Sequence, residues 1–181
     1  DPARLYEVHP AATGRVGDAS KIDDVIRLSE GQDLVITATR PQVGRESELV
    51  ACTQSLLAGL AQTGVRLLAV GGAGGLTVPD NKDTLVVDDA RYVSPAWRDI
   101  AVACVDQLEV YRGETKVDWA YLSPAAQLMP GERTGIFRLG KDELLVDAEG
   151  NSKISMEDLA VALMDEAEHT KHRQARFTLA Y

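Results

Sequence analysis

Two apolar, β-branched runs separated by one helical pattern limit this chain more than any other feature. DLVITAT (33–39) follows a Gly-Gln turn and reads as a buried strand. RESELVACTQSLLAGLAQTGV (45–65) places Leu49, Cys52, Leu56, Leu57 and Leu60 at helical spacing, with Gly64 where a helix stops. RLLAVGG (66–72) is a second strand, ending in glycines. Strands joined through a helix lie parallel, with the crossover right-handed. The pattern then repeats. SPAWRDIAVACVDQLEVYRG (94–113) opens with Ser94 and Pro95, an N-cap and first-turn pair, and VDWAYLSP (117–124) is a strand closed by proline. ISMEDLAVALMDEAEH (154–169) is a helix capped by Ser155, with Asp158 in the capping-box position, and RFTLAY (176–181) is a last strand. The expectation is an α/β fold, a doubly wound parallel sheet covered on both faces, in one domain over 1–181. Ligands of such sheets bind beyond the carboxyl ends of the strands. That places Thr39–Pro41, Gly71–Leu76 and Ser123–Ala126 around one crevice.

AATGRVG (11–17) is spelled like a phosphate-binding loop. Such a loop needs a strand before it and a helix directly after it. LYEVHP, closed by proline, precedes it, and Asp18 intervenes before SKIDDVIRLSEG, a short amphipathic helix capped by Ser20 with Val25, Ile26 and Leu28 inward. The segment therefore reads as a strand with Asp18 at its carboxyl end, near the crevice. VGGAGGL (70–76) follows a strand, but TVPDNKD comes next instead of a helix. Its backbone can approach a ligand without aiming a helix N-terminus at one.

The 181 residues carry a net charge of -9, which argues against nucleic acid or an anionic membrane as a partner. The opening DPARLYEVHP has no secretory signal pattern, so the cytoplasm is the expected location. Cys52 and Cys104, without a CxxC spacing, read as small buried hydrophobes, and no metal site is expected.

VGGAGGL, the block VDWAYLSPAAQLMPGERTGIFRLGKDELLVDAEGNSKISMEDLAVALMDEAEH (117–169) and RFTLAY carry a family resemblance. From DPARL onward the chain resembles the NmrA-like, NAD(P)-binding atypical short-chain dehydrogenases, in the group of NADH-flavin reductases. Members of that family reach a DPARL-like segment only after a first strand, a GxxGxxG loop, a helix and a second strand. The resemblance thus implies a Rossmann-like sheet without its first βα unit and second strand, about 35–40 residues. Residues 11–18 would be the family's third strand. The chain would be either a fragment of a longer protein, the favoured alternative, or a natural variant without a phosphate loop.

The resemblance also implies a site. Asp18 would lie by the adenine, and Ala38, Thr39 and Arg40 would line the adenosine ribose and phosphates. Gly71, Gly72, Ala73, Gly74 and Gly75 would lie under the nicotinamide ribose, with Tyr121, Ser123, Pro124 and Ala125 beside the nicotinamide. Residues 118–181 would form the substrate side. Relatives often carry a hydroxyl where Gly75 stands, and Tyr-Lys where this chain has Trp97 and Arg98. Trp97 cannot pass a proton, and Arg98 cannot cycle as a base but could hold a phosphate or ribose. No catalytic residue is therefore assigned.

Other features read more simply. DAEGNSKISMED (147–158) is spaced like a calcium loop, but Ser152 and Asp158 stand where Gly and Glu are needed, so it reads as a turn and a capped helix. His169 and His172 read as caps at a helix C-terminus, Trp97 and Trp119 as core or pocket wall, and Tyr92 and Tyr111 as remote proton donors. GERTG (131–135) reads equally as a flap over substrate or a structural turn. The functional expectation is an NAD(P)H-dependent reductase, NADP included, passing hydride to a flavin, quinone or small carbonyl, with a homodimer compatible. The alternatives are an NmrA-type nucleotide sensor without catalysis and a truncated, cofactor-free scaffold.

Overall fold

The computed structural model describes His9 and residues 11–181, so the opening DPARLYEV and Pro10 lie outside the described residues. The first elements are α1 (Ile22–Ser29), β1 (Leu34–Thr37), α2 (Glu48–Thr63) and β2 (Arg66–Val70). α2 ends where expected: Gly64 adopts φ 71°, a left-handed conformation that glycine tolerates, and its amide closes onto Leu60 O. A short hairpin follows, β3 (Thr77–Val78) with β4 (Asn81–Leu85), then α3 (Arg98–Arg112) and β5 (Trp119–Ser123). The chain closes with β6 (Gln127–Met129), β7 (Arg138–Gly140), β8 (Lys153–Ser155), α4 (Met156–Glu168) and β9 (Ala175–Ala180).

The central sheet has the order β1-β2-β5-β9-β7, with the first four strands parallel and β7 antiparallel at the far edge. Successive side chains of a strand face opposite sides. Accordingly Leu67, Ala69, Trp119 and Tyr121 pack with Leu56, Leu57 and Leu60 of α2 and Leu108 and Tyr111 of α3. On the other face Leu68, Ala120, Leu122, Phe177 and Leu179 pack with Leu159 and Leu163 of α4. Leu60, Leu67 and Tyr121 are fully buried, and a side chain of that size contributes about 1.5–3 kcal/mol on burial. The doubly wound parallel sheet is as expected.

Four local expectations need correction. Residues 11–18 form no strand: among the described residues they join no ladder, and they are exposed, Val16 to 77%. Arg27 donates to Val16 O and the Asp18 amide donates to Asp24, so the segment is tied to α1 instead of a strand edge. Ser20 does not cap α1; its amide and hydroxyl donate to Asp18 Oδ1, in a turn closed by Lys21 N to Asp18 O. β1 is only half covered, with Ile36 45% exposed, because it is an edge strand among the described residues. Ser94 precedes a single 3-10 turn (Pro95–Trp97), and α3 starts only at Arg98.

Ser155 does cap α4, its Oγ accepting the Asp158 amide at 3.0 Å. The reciprocal bond of a capping box is replaced. Ser155 N–H donates to Tyr181 Oη, and that hydroxyl donates to Asp158 Oδ2.

Candidate functional site

The carboxyl ends of β1, β2 and β5 lie side by side, so the three expected segments share one end of the sheet. A cavity of about 420 Å³ opens there, lined by Asp18, Thr39, Arg40, Arg45, Glu48 and Cys52 among others. The first turn of α2 forms one wall, and a helix N-terminus favours negative charge. Arg40 and Arg45 line the cavity as well, Arg45 paired with Glu48 of that first turn, Nε to carboxylate 2.7 Å. Ala38, Thr39 and Arg40 are exposed, and Thr39 Oγ1 lies 3.2 Å from Thr37 Oγ1. The Asp18 carboxyl is held below the ordinary aspartate value, chiefly by the Ser20 hydroxyl.

Trp97 is neither core nor buried wall. It is 54% exposed, and the Arg40 guanidinium stacks 4.8 Å from its ring centroid, linking the end of β1 to the start of α3. Arg98 is engaged elsewhere, donating to Val87 O and pairing with Asp88. Trp119 is buried as expected.

The glycine-rich loop after β2 is shaped by packing. A Cβ on Gly71 would lie 1.8 Å from Tyr121 Cζ, on Gly72 2.8 Å from Cys104 Cβ, and on Gly74 2.9 Å from Ala101 O. The missing side chains thus let Tyr121 and α3 press against the loop. Gly75 is less constrained, 3.4 Å from Arg176, whose Nη1 donates to Gly75 O. Ala73 packs on the small cluster of Leu76, Val78, Val86 and Leu144.

Tyr121, Ser123, Pro124 and Ala125 are all buried. The Tyr121 hydroxyl accepts the Gly72 amide and reaches Cys104 O and Gln107 Oε1. Gln107 donates to Thr53, which donates to Leu49 O in the cavity wall. A buried polar chain therefore couples the glycine loop to α2. Burial drives the Tyr121 and Tyr111 phenols far above the ordinary value, so neither exchanges a proton near neutrality. Ser123, the last residue of β5, is in register with Thr178 within β9, and both hydroxyls are buried without a hydrogen-bond partner among the described residues.

The cysteines are half-buried instead of fully enclosed. Burial pushes the Cys104 thiol up to about 11 and raises Cys52 as well. An aromatic disulfide reagent is expected to modify Cys104 of the folded protein about a hundredfold more slowly than an unstructured cysteine. Equal rates before and after denaturation would contradict this burial.

The GERTG segment is clasped by α4. Asp158, fully buried, accepts from Thr134 N and Oγ1 and from Gly135 N, while Ser155 Oγ donates to Glu132 O. Burial favours the protonated Asp158, but the Thr134 hydroxyl, the Gly135 amide and the Tyr181 hydroxyl outweigh it and hold the carboxyl low. A hollow of about 430 Å³ lies beside this turn, lined by Gln127, Met129, Lys153 and Tyr181. In the calcium-like stretch, Asp147 spends its oxygens on the amides of Glu149 and Asn151 and the Asn151 side chain, which makes it a turn. His169 ends α4, but His172 is not a helix cap: its Nδ1 lies 2.7 Å from Glu166 and its ring stacks on Phe177.

A parallel sheet wound on both faces, with a crevice at its carboxyl end, defines a Rossmann-like nucleotide-binding protein. The family model for NAD(P)H-binding proteins matches residues 1–170, and the chain belongs to that family. The chain is 36% identical over 149 residues to the uncharacterized protein YwnB of Bacillus subtilis, covering 81% of this chain and 70% of YwnB. A crystal structure of a candidate epimerase from Bacteroides thetaiotaomicron superposes with TM-score 0.83 at 37% identity, covering 96% of this chain and 82% of that one. A candidate NADH-flavin reductase from Streptococcus pneumoniae superposes with TM-score 0.83 at 28% identity, covering 96% and 83%.

Proposed function

We propose that this chain is an NAD(P)H-dependent oxidoreductase of the NmrA-like, NADH-flavin reductase type, acting on a flavin, quinone or small carbonyl. The supporting observation is the crevice itself. It gathers Asp18, Thr39 and Arg40 from separate segments against the first turn of α2. In this reading Asp18 accepts from the adenine side, Thr39 and Ala38 border the ribose, and Arg40 and Arg45 meet phosphate. The glycine loop and the Ser123 end of β5 border the nicotinamide half. Residues 118–181 would supply the acceptor side, including the hollow beside GERTG.

The bound nucleotide would supply the hydride; the protein's part is orientation and exclusion of water. The tyrosines argue for an acceptor that needs no protein acid. Tyr121 and Tyr111 are sealed, and Trp97 stands where relatives often carry the tyrosine. A flavin or quinone fits best, and the same features favour the second reading, a nucleotide sensor without turnover.

Titration with NADPH, followed by nucleotide fluorescence, is expected to saturate. Arg40→Ala should weaken binding about tenfold, the size of one charge-assisted phosphate contact. No saturation up to millimolar nucleotide would defeat both readings. Binding without NADPH oxidation on flavins, quinones or aldehydes would leave only the sensor.

A further inference from the structure

Away from the crevice, at the amino ends of β5 and β9, lies a second cleft of about 540 Å³. In a chain of net charge -9 it is lined by Arg112, Lys141, Lys171, Arg173 and Arg176; Asp142 is the one carboxylate of the lining, and outside it Arg112 pairs with Glu109 and Arg173 with Asp118. Arg112 closes the last turn of α3, where a cation has a structural reason to be. Lys141 follows β7 and Lys171 precedes β9, so neither is explained by a helix end. Among the described residues neither lysine has a carboxylate within salt-bridge distance, whereas Asp142 is taken by Arg176 at the cleft floor. Arg176 is the buried member, its side chain 4% exposed, and it also holds Gly75 O. With the three arginines paired, the excess positive charge of this concavity comes from Lys141 and Lys171.

We propose that this cleft binds a small polyanion of the pyrophosphate type, with Lys141 and Lys171 as its ligands. Polar walls and a volume within the range of small-molecule sites suit a compact phosphorylated group. The site lies apart from the proposed nucleotide crevice and does not depend on that reading.

The test is calorimetric titration of the whole chain with inorganic pyrophosphate at low ionic strength. Saturable binding with a Kd on the order of 1 mM is expected, weakening severalfold between about 20 and about 200 mM salt. Lys141→Glu with Lys171→Glu should weaken it at least about tenfold while NADPH binding is unchanged. Arg40→Ala with Arg45→Ala should leave it intact. If the charge reversal disturbs folding, Lys141→Gln with Lys171→Gln replaces it. The proposal is overturned if the wild type does not saturate, if the lysine variants bind as the wild type does, or if only the crevice variants lose binding.

Discussion

Gly71→Ala is expected to be among the most destabilising single substitutions in this protein. The added methyl would sit 1.8 Å from Tyr121 Cζ and 1.9 Å from its oxygen, and neither partner can retreat. The Gly71 amide is fixed by its bond to Leu122 O at 2.9 Å, and the Tyr121 ring is fully buried against Tyr111, centroids 5.4 Å apart. Overpacking a tight core costs about 3 kcal/mol when backbone and ring must both shift. Thermal unfolding should fall by about 6–12 °C for a domain of this size. Tyr121→Phe will not relieve the clash, because the ring carbons remain. Gly71→Ala combined with Tyr121→Leu should lose less than the sum of the two single variants. Additive losses would show that the glycine answers to something other than Tyr121.

Much of the fold was legible because its signals are long. α2, α3 and α4 each run three turns or more with an apolar stripe, and β2 and β5 are continuous apolar runs between turns. The errors fall where sequence has no grip on a neighbour. The Thr-Gly-Arg-Val stretch suits a strand, but a strand needs an edge to pair with, and α1 holds this segment through Arg27 and Asp24. β6, β7 and β8 are three residues each, too short for a period of two to register. β5 is buried at all five positions, so alternation could not tell which face Tyr121 takes. The structure packs its ring under Gly71, where it holds the loop. The pairing of Arg40 with Trp97 depends on where two loops meet, which no local pattern encodes.

Glu166 anchors the opposite end of the molecule, and Glu166→Ala is expected to cost about 3 kcal/mol, the penalty for stranding one partner of a buried ion pair. The carboxylate, its side chain 2% exposed, accepts from Arg66 Nη2 at 2.7 Å, from the Lys171 and His172 amides, and lies 2.7 Å from His172 Nδ1. Removing it takes from Arg66, whose side chain is 12% exposed, its 2.7 Å carboxylate and leaves Asp118 at 3.4 Å as the remaining counter-charge, while two chain amides lose their acceptor. Burial by itself would push this carboxyl up. The His172 amide, the His172 ring and Arg66 outweigh burial and hold it below the ordinary value of 4.5. A carboxyl lowered in the native state contributes stability that is complete above its unfolded value and is lost as pH falls through the native one. In denaturant titrations, the gap between wild type and Glu166→Ala should therefore be constant from about pH 8 to about pH 5 and narrow below about pH 4. A gap that narrows already at neutral pH would place the titrating group elsewhere. A constant gap down to about pH 2 would mean that the lost contacts are packing and not charge. Arg66→Met in the Glu166→Ala background should recover part of the loss, because it removes a cation left with only the longer Asp118 pair and keeps the apolar stem.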